Sequence, residues 1–315
     1  MRDAFASGPA GERVTIRHAG MAPEVQGRGS TMEWKGRRQS SNIEDRRRMS
    51  AGRTAGVGGA GAIVIVLIAM FLGVDPSQLL GPGGLDGQSS GGGATELTAA
   101  DKSAGEFVSV TLADTEEIWT RVFAEQLKKK YTPTKLVLFK DSTPSACGGA
   151  SEATGPFYCP GDKKVYLDTA FFTTLSDRLG AKGDFAAAYV VAHEVGHHVQ
   201  DELGILSKAN QIRAQVSEVE SNDISVRIEL QADCLSGIWA REAAQTLGTI
   251  ERGDLEEAVN AARQIGDDTL QRSAGQRVMP DSFTHGTSEQ RSRWFMVGLK
   301  SGLLADCDTF SANDL

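Results

Sequence analysis

A long apolar stretch near the N-terminus is the feature that most constrains the architecture of this chain. Residues 55–74 contain no charged side chain over 20 positions, and an α-helix of about 20 residues spans the hydrocarbon core of a bilayer. A buried core helix is the alternative, but uniform apolarity over this length suits lipid better. A cleaved signal peptide is disfavoured because 54 residues precede the stretch, too many for the basic n-region of a signal. The sequence therefore predicts one uncleaved transmembrane helix that anchors the chain in a cell membrane.

The formal net charge of −8 is an average over two parts of opposite sign. Residues 1–53 contain 11 Lys and Arg against 6 Asp and Glu, a net charge of +5, whereas the remainder contains 22 against 35, a net charge of −13. Basic residues beside a membrane span tend to stay in the cytoplasm. We therefore expect a cytoplasmic N-terminus and a periplasmic or extracellular domain. The acidic total argues against a nucleic-acid partner.

The chain divides into four predicted regions. Residues 1–54 are expected to be a basic, disordered cytoplasmic tail, within which Met32 is an alternative start of translation. Residues 55–74 are the membrane anchor, and residues 75–95 are a Gly-rich flexible tether. Residues 96–315 remain as a single exported domain, which is long enough to bury a substantial core.

Local patterns within this domain predict an α+β fold. Short β-type runs come first, and the part after Asp184 has helical periodicity. A small sheet that precedes a run of helices is typical of α+β domains, so we expect a mostly helical domain with a small antiparallel sheet. The predicted strands are residues 135–139, 157–158 and 164–167, and the main predicted helices are residues 185–203, 217–246 and 254–265.

All four cysteines, Cys147, Cys159, Cys234 and Cys307, lie on the predicted exported side of the anchor. Disulfides persist in exported compartments and are rare in the cytosol. Cys147 and Cys159 are 12 positions apart across a Gly- and Pro-containing segment, which favours a local disulfide and would leave Cys234 to pair with Cys307. Free buried thiols are the alternative. The C-x-x-C spacing of redox and zinc-ribbon sites is absent.

His193, Glu194 and His197 form the pattern H-E-x-x-H within an otherwise apolar predicted helix. Two imidazoles at positions i and i+4 lie on one helix face and can bind one Zn²⁺, with Glu194 placed to act as general base. Polar side chains buried on such a helix need partners, and a metal ion supplies one directly. A polar patch without metal is the alternative. His198 lies one step around the helix and is expected to have a supporting or structural role.

A catalytic zinc site needs a third protein ligand. The continuation H-x-x-G-x-x-H is missing after His197, so this ligand must come from another part of the chain. Glu229 and Asp233 are i and i+4 on the next long predicted helix and share one face in an apolar context. We expect Glu229 to bind zinc and Asp233 to accept a hydrogen bond from a ligand imidazole. The alternative is a solvated acidic helix face.

His285 is the remaining histidine of the predicted domain and lies in a loop that contains Gly and Thr. Peptide hydrolysis forms an oxyanion that needs a hydrogen-bond donor in addition to the metal. His285 is therefore a candidate catalytic residue, as oxyanion stabiliser or substrate contact, with Tyr166 and Tyr189 as alternative donors. A structural surface histidine is the other interpretation. A peptide substrate could add as a strand to a sheet edge near residues 157–166.

These residues lie in stretches that resemble the bacterial neutral zinc metallopeptidases, a family with a gluzincin-like Glu ligand after the H-E-x-x-H helix. The resemblance implies a zincin-like, membrane-anchored peptidase with one Zn²⁺, the ligands His193, His197 and Glu229, and Glu194 as base. It also implies a protein or peptide substrate and Met32 as the true start. A non-catalytic, zinc-stabilised binding module is the alternative function. The matching stretches are MEWKGRRQSSNIEDRR from Met32, GPFYCP from Gly155, AYVVAHEVGHHVQ from Ala188, RIELQADC from Arg227, PDSFTHGTSEQR from Pro280 and CDTF from Cys307.

Overall fold

The computed structural model describes residues 32–48, 96–151, 154–248, 250 and 252–315. The predicted anchor and tether lie between residues 48 and 96 and are therefore outside the described residues. Within the described ranges, no helix combines the length and apolarity that a membrane span requires. The predicted α+β class is confirmed, because a small sheet packs against a mostly helical body.

Six strands form two small sheets in the described part of the chain. They are β1 (Ile43–Asp45), β2 (Lys135–Phe139), β3 (Ser142–Ser145), β4 (Gly148–Ser151), β5 (Phe157–Cys159) and β6 (Lys164–Asp168). The larger sheet has the strand order β1-β2-β6-β5, and strands β3 and β4 form a separate antiparallel hairpin.

The predicted antiparallel pairing of the main sheet is wrong for two of its three strand pairs. β1–β2 and β2–β6 are parallel, and only β5–β6 is antiparallel. The chain path explains the difference, because β1 comes from the segment before residue 49 and the β3–β4 hairpin intervenes after β2. The chain then returns as edge strand β5 before β6 fills the position beside β2.

Eight α-helices are described. They are α1 (Ala99–Val122), α2 (Phe171–Asp177), α3 (Asp184–Glu202), α4 (Ile205–Arg213), α5 (Glu218–Glu242), α6 (Arg252–Gln264), α7 (Asp267–Ser273) and α8 (Ser288–Ser301). The three main predicted helices correspond to α3, α5 and α6. Helix α5 begins with a capping box, since the Ser217 hydroxyl accepts from the Glu220 N–H and the Glu220 carboxylate accepts from the Ser217 N–H.

Helix α3 is the central element of the domain. It is apolar around almost its whole circumference, and such a helix is stable only when it is buried on all sides. It packs against α1, α5, α6 and the sheet. Gly183 precedes it with a φ of 106° and offers no side-chain cap, so the Glu257 carboxylate from α6 accepts the Phe185 N–H at 3.3 Å. Gly204, with a φ of 76°, ends it.

Two glycine contacts set how closely the helices around α5 approach each other. A Cβ atom at Gly196 of α3 would lie 3.1 Å from the Ala232 carbonyl oxygen of α5. A Cβ atom at Gly298 of α8 would lie only 1.8 Å from the Cys234 carbonyl oxygen. Helix α5 is therefore held tightly between α3 and α8, at the level of its Glu229–Asp233 turn.

Residues 32–48, which were predicted to be part of a disordered tail, are folded onto the domain. Trp34 is 9% exposed and meets the edge of Phe107 from α1, and β1 pairs with β2. The Arg37 guanidinium donates to both carboxylate oxygens of Asp114 at 2.6 and 2.9 Å. Predicted disorder is therefore wrong for this part of residues 1–54, because Arg37 and Arg38 pair with Asp114 and Glu116 of α1 and Trp34 is buried. The remaining residues of the predicted tail lie outside the described ranges.

Both favoured disulfides are present. Cys147 and Cys159 are bonded with a Cα–Cα distance of 5.8 Å, and Cys234 and Cys307 with 5.6 Å. The alternative of free thiols is therefore wrong. The first bond joins the turn of the β3–β4 hairpin to edge strand β5, and the second joins α5 to the C-terminal 3₁₀ turn Leu304–Cys307.

Candidate metal centre

The three predicted zinc ligands come together in the structure. His193 and His197 project from α3 and Glu229 from α5, and one ligand atom of each lies within 4.8 Å of the others. The Nε2 atom of His193 is 3.1 Å from Glu229 Oε2, and that of His197 is 3.5 Å from Glu229 Oε1. Two ligands of one tetrahedral zinc are separated by about 3.3 Å at the usual bond lengths. The spacing of the three residues thus fits a zinc ion.

The second nitrogen of each imidazole has its own partner. His193 Nδ1 lies 2.9 Å from Asp233 Oδ1, and His197 Nδ1 lies 2.9 Å from Gln200 Oε1. With both Nδ1 atoms bonded to these oxygens, each Nε2 is directed toward Glu229. This is the arrangement that supporting hydrogen bonds give to zinc-binding histidines. Asp233 lies within hydrogen-bond distance of a predicted ligand imidazole, as expected from its position on the helix. Gln200 was not predicted, because a glutamine one turn beyond a histidine gives no distinctive signal.

The charges of the ligand cluster favour a cation between its members. Burial lowers the pKa of His193, but the hydrogen bonds to Asp233 and Glu229 outweigh this effect and raise the pKa to about 9. Burial raises the pKa of the Glu229 carboxyl, but His197 and His193 outweigh it and hold the pKa well below its ordinary value. The carboxylates thus need positive charge nearby, which a bound divalent ion supplies.

Asp233 is the centre of a fully buried polar network. It is 0% exposed, and its carboxylate accepts from the Tyr189 hydroxyl at 2.5 Å and from Arg291 Nε and NH2 at 2.8 and 3.0 Å. Arg291, on α8, is itself 1% exposed. Arg291 was not predicted. The sequence does contain a signal for its burial, since Arg291 lies on the same face of α8 as Trp294, Phe295 and Gly298.

The two tyrosines considered as oxyanion donors are engaged elsewhere. The Tyr189 hydroxyl donates to Asp233, so its proton is already used in supporting the ligand shell. The Tyr166 hydroxyl donates to Asp162 at 2.6 Å, and its ring stacks on Phe157. Both hydroxyl protons are therefore engaged by carboxylates in this structure.

Glu194 lies beside the ligands, and its carboxylate is not one of the three clustered ligand groups. It is 8% exposed. Burial raises the pKa of its carboxyl above the ordinary value, and His197, His193 and the backbone N–H of Tyr158 oppose the shift. An elevated pKa is what allows a carboxylate to take up a proton near neutral pH and release it again.

The ligands and Glu194 line a cavity of about 700 Å³. Its walls are mostly apolar, and one of them is formed by Pro156, Phe157 and Tyr158 at the start of edge strand β5. Further walls come from α2, α4 and α7, which contribute Phe171, Leu206 and Leu270 among others. A cavity of this size and character can hold several residues of a peptide.

His285 also lines this cavity, and its side chain is 28% exposed. Its Nδ1 is 3.2 Å from Asp267 Oδ1, and Asp267 Oδ2 accepts the backbone N–H groups of Thr284, His285 and Gly286 at 2.8, 2.6 and 3.1 Å. Burial lowers the pKa of His285, but Asp267 outweighs burial and raises it. Asp267 was not predicted, because an acidic residue in the first turn of a helix is common.

Comparison with known proteins gives a consistent picture. The sequence profile of the family described as "Putative neutral zinc metallopeptidase" matches residues 32–310. The chain is 46% identical to the uncharacterized protein YpfJ of Escherichia coli (strain K12) over 288 residues, which covers 89% of this chain and 99% of that protein. An uncharacterized protein of Mycobacterium tuberculosis is 40% identical over 261 residues, 78% of this chain and 86% of that protein. A search of the solved structures found no match.

The family match begins at the residue where the described structure begins and includes every residue of the metal centre. The zinc in the family's description agrees with the donor set of two imidazoles and one carboxylate that the structure brings together. The relatives match over most of their own length as well, so the likeness extends over whole chains rather than one motif. The chain therefore belongs to the neutral zinc metallopeptidase family.

Proposed function

We propose that the protein is a zinc-dependent endopeptidase in which Glu194 is the general base. The observation that carries the proposal is the convergence of two Nε2 atoms and the Glu229 carboxylate beside Glu194 in one cavity. When bound, zinc would supply a Lewis acid that polarises the scissile carbonyl and makes water a better nucleophile at neutral pH. The other tasks of the reaction fall to side chains of the chain.

Glu194 accepts a proton from the attacking water and then donates it to the nitrogen of the leaving amine. Its burial supports both steps, since the raised pKa of its carboxyl makes the protonated form accessible. The neighbouring ligands act on the same pKa in opposite directions, with the imidazoles lowering it and Glu229 raising it.

His285 donates a hydrogen bond to the oxyanion that forms during the attack. Its Nε2 has no hydrogen-bond partner among the described residues, while Nδ1 is held by Asp267. Asp267 favours the imidazolium form of His285, in which Nε2 carries a proton. One preorganised donor of this type contributes about 10²- to 10³-fold to the rate of acyl transfer.

The substrate is a peptide that lies along edge strand β5. Among the described residues this strand has a sheet neighbour on its β6 side alone, and its Phe157 and Tyr158 line the cavity. An extended peptide can pair with such an edge, and the pairing would place its backbone past the ligands. The Cys147–Cys159 disulfide joins this edge to the β3–β4 hairpin and restrains it.

The two disulfides also support a location outside the cytosol. We therefore propose that the domain acts on the exported side of a cell membrane and that its substrates are proteins or peptides of that compartment.

Hydrolysis of a quenched fluorogenic peptide library by the zinc-loaded protein tests the proposed function. We expect turnover that a chelator abolishes and that stoichiometric zinc restores. Absence of turnover with a broad library, from protein that binds zinc, would leave the non-catalytic binding module as the better account.

Asp267→Asn should move the alkaline limb of the pH–rate profile to lower pH. The Asp267 carboxylate raises the pKa of His285, so the imidazolium persists to a higher pH in the wild type. Without that charge His285 loses its proton earlier, and we expect kcat/KM at pH 8 to fall by about 10- to 100-fold, with a smaller loss at pH 6.

The matched control is Asp268→Asn, since Asp268 is adjacent but binds Ser288 and Arg272 instead of His285. Its profile should keep the wild-type alkaline limb. A limb that stays in place in Asp267→Asn would show that His285 does not act as the proposed donor.

A further inference from the structure

Two arginines of the cavity have no carboxylate partner among the described residues. Arg178 and Arg213 both line it. Arg213 donates from Nε to Ser221 Oγ at 3.3 Å and from NH1 to Asn210 Oδ1 at 3.2 Å, both neutral acceptors. The second terminal nitrogen of its guanidinium has no acceptor within the described ranges. The cavity therefore contains two guanidinium groups that form no ion pair with a carboxylate of the described residues.

Arg213 differs in this respect from three other shielded arginines of the domain. Arg291 is paired with Asp233, Arg37 with Asp114, and Arg47 with Asp45. Glu229 acts on Arg213 electrostatically, but its oxygens already face the two imidazoles. A half-buried guanidinium without a counterion is unfavourable unless a ligand supplies one.

The position of Arg213 allows it to meet a substrate. Leu206, Asn210 and Arg213 follow one another at helical spacing, so one face of α4 forms a wall of the cavity that also contains His193 and Glu194. A peptide held at the ligands would therefore pass within reach of this wall.

We propose that Arg213 binds a carboxylate of the peptide substrate and gives the enzyme a preference for anionic peptides. The carboxylate is either an Asp or Glu side chain near the scissile bond or the C-terminal carboxylate of a short peptide. Arg178 supplies a second positive charge to the same cavity. This inference rests on the proposed endopeptidase function and specifies its substrate class.

Matched fluorogenic peptides test this specificity. One series has Glu or Gln at each position around the scissile bond, and a second has a free or an amidated C-terminus. In one of the two series we expect the wild-type kcat/KM for the carboxylate peptide to exceed that for its amide counterpart by about 10- to 150-fold. This is the range for a hydrogen bond to a charged group. Arg213→Gln should lose this preference mainly through KM, and Arg213→Glu should favour Lys at the same position.

Arg293→Gln is the control, because Arg293 is a partly exposed arginine that pairs with Asp314 outside the cavity. It should keep the wild-type preference. Equal kcat/KM for carboxylate and amide peptides in the wild type, or an unchanged preference in Arg213→Gln, would overturn the inference while leaving the peptidase intact.

If no peptide is cleaved, the proposed function fails first. The zinc-loaded Glu194→Gln protein then decides the inference separately by binding the same peptides. The inference is supported if Glu194→Gln binds the carboxylate peptide more tightly than the amide peptide and the Glu194→Gln, Arg213→Gln double variant does not. Equal binding of the two peptides by Glu194→Gln contradicts the inference.

A second inference comes from a different observation, the position of residues 32–48. The described chain stops at residue 48 and resumes at residue 96. Close to these two ends, the Arg47 guanidinium donates to the Asp101 carbonyl at the start of α1, and it packs directly against Gly105. Residues 47 and 101, on either side of the intervening segment, therefore lie next to each other.

A helix that crosses a bilayer once separates its flanks by the roughly 30 Å hydrocarbon core. Residues 32–48 cannot then be cytoplasmic while the domain is exported, because β1 is a strand of the domain's own sheet. We infer that residues 32–48 and residues 96–315 lie on the same side of the membrane, in place of the opposite sides predicted from the charge distribution.

Labelling of single engineered cysteines tests this topology. Gln39→Cys and Lys129→Cys place exposed thiols on the N-terminal segment and on the domain. A membrane-impermeant maleimide, applied to spheroplasts and to lysed cells, should label both positions in the same preparations. Labelling of one position and protection of the other would overturn the inference. Retained zinc binding by each purified variant controls for folding.

Discussion

Glu194→Gln should abolish peptide hydrolysis and leave zinc binding intact. Gln has nearly the shape of Glu but cannot take up the proton of the attacking water. General acid–base catalysis contributes about 10²- to 10⁴-fold, and because Glu194 serves in both proton transfers we expect kcat/KM to fall by at least about 10³-fold. Zinc content should stay at one ion per chain, since the proposed ligands are His193, His197 and Glu229.

The matched control for this variant is Glu202→Gln, at the C-terminal end of the same helix. Glu202 pairs with Lys163 and does not line the cavity, so its neutralisation should change kcat/KM by less than about twofold, as expected for an exposed ion pair. Full activity of Glu194→Gln would remove the general base from the mechanism. Loss of zinc together with activity would assign Glu194 to metal binding instead.

Asp233→Ala should cause the largest loss of stability among single substitutions in the metal centre. It removes the bidentate partner of the buried Arg291 and the acceptor of the His193 Nδ1–H and the Tyr189 hydroxyl. An unpaired buried charge costs about 3–5 kcal/mol in the free energy of unfolding. Loss of the supporting hydrogen bond to a ligand should also weaken zinc binding by about 10- to 100-fold. Urea unfolding of the zinc-free protein and zinc titration measure the two effects.

A double variant separates these two roles of Asp233. Asp233→Leu combined with Arg291→Met replaces the ion pair by apolar side chains, and such replacements are often neutral or stabilising in buried sites. We expect it to recover most of the lost unfolding free energy and none of the lost zinc affinity. A cost below about 1 kcal/mol for Asp233→Ala, or recovery of zinc affinity in the double variant, would contradict the role assigned to Asp233.

The candidate ligands could be predicted from the sequence because helical spacing alone determines which side chains share a face of a helix. His193 and His197 are one turn apart, as are Glu229 and Asp233, so each pair shares a helix face before any tertiary contact is known. The close approach of α3 and α5 then depends on Gly196, whose lack of a side chain allows the Ala232 carbonyl to come near. That contact was not evident in the sequence, since a glycine within a helix does not identify the element it faces.

The residues that were not predicted act across long separations in the chain. Arg291 reaches Asp233 from 58 positions away, and Asp267 holds His285 from 18 positions away. Helical and strand periodicities report only on neighbours within an element. Tertiary packing decides which elements face each other, so these pairings become visible only in the folded chain.

The N-terminal segment illustrates how composition can mislead. Its many basic residues favoured a solvated tail, but Arg37 and Arg47 are neutralised by Asp114 and Asp45, and Trp34 is buried. Charge counts record the sign of a segment and carry no information about where its counterions lie. The parallel β1–β2 pairing has the same origin, because a three-residue strand in a polar context has almost no pattern of its own.

Anomalous diffraction at the zinc absorption edge, from crystals of the full chain grown with one equivalent of zinc, locates the metal ion itself. We expect one strong peak per chain, about 2.0–2.2 Å from Nε2 of His193, Nε2 of His197 and a carboxylate oxygen of Glu229. A peak at another set of residues, or none at these three, would contradict the proposed ligand set.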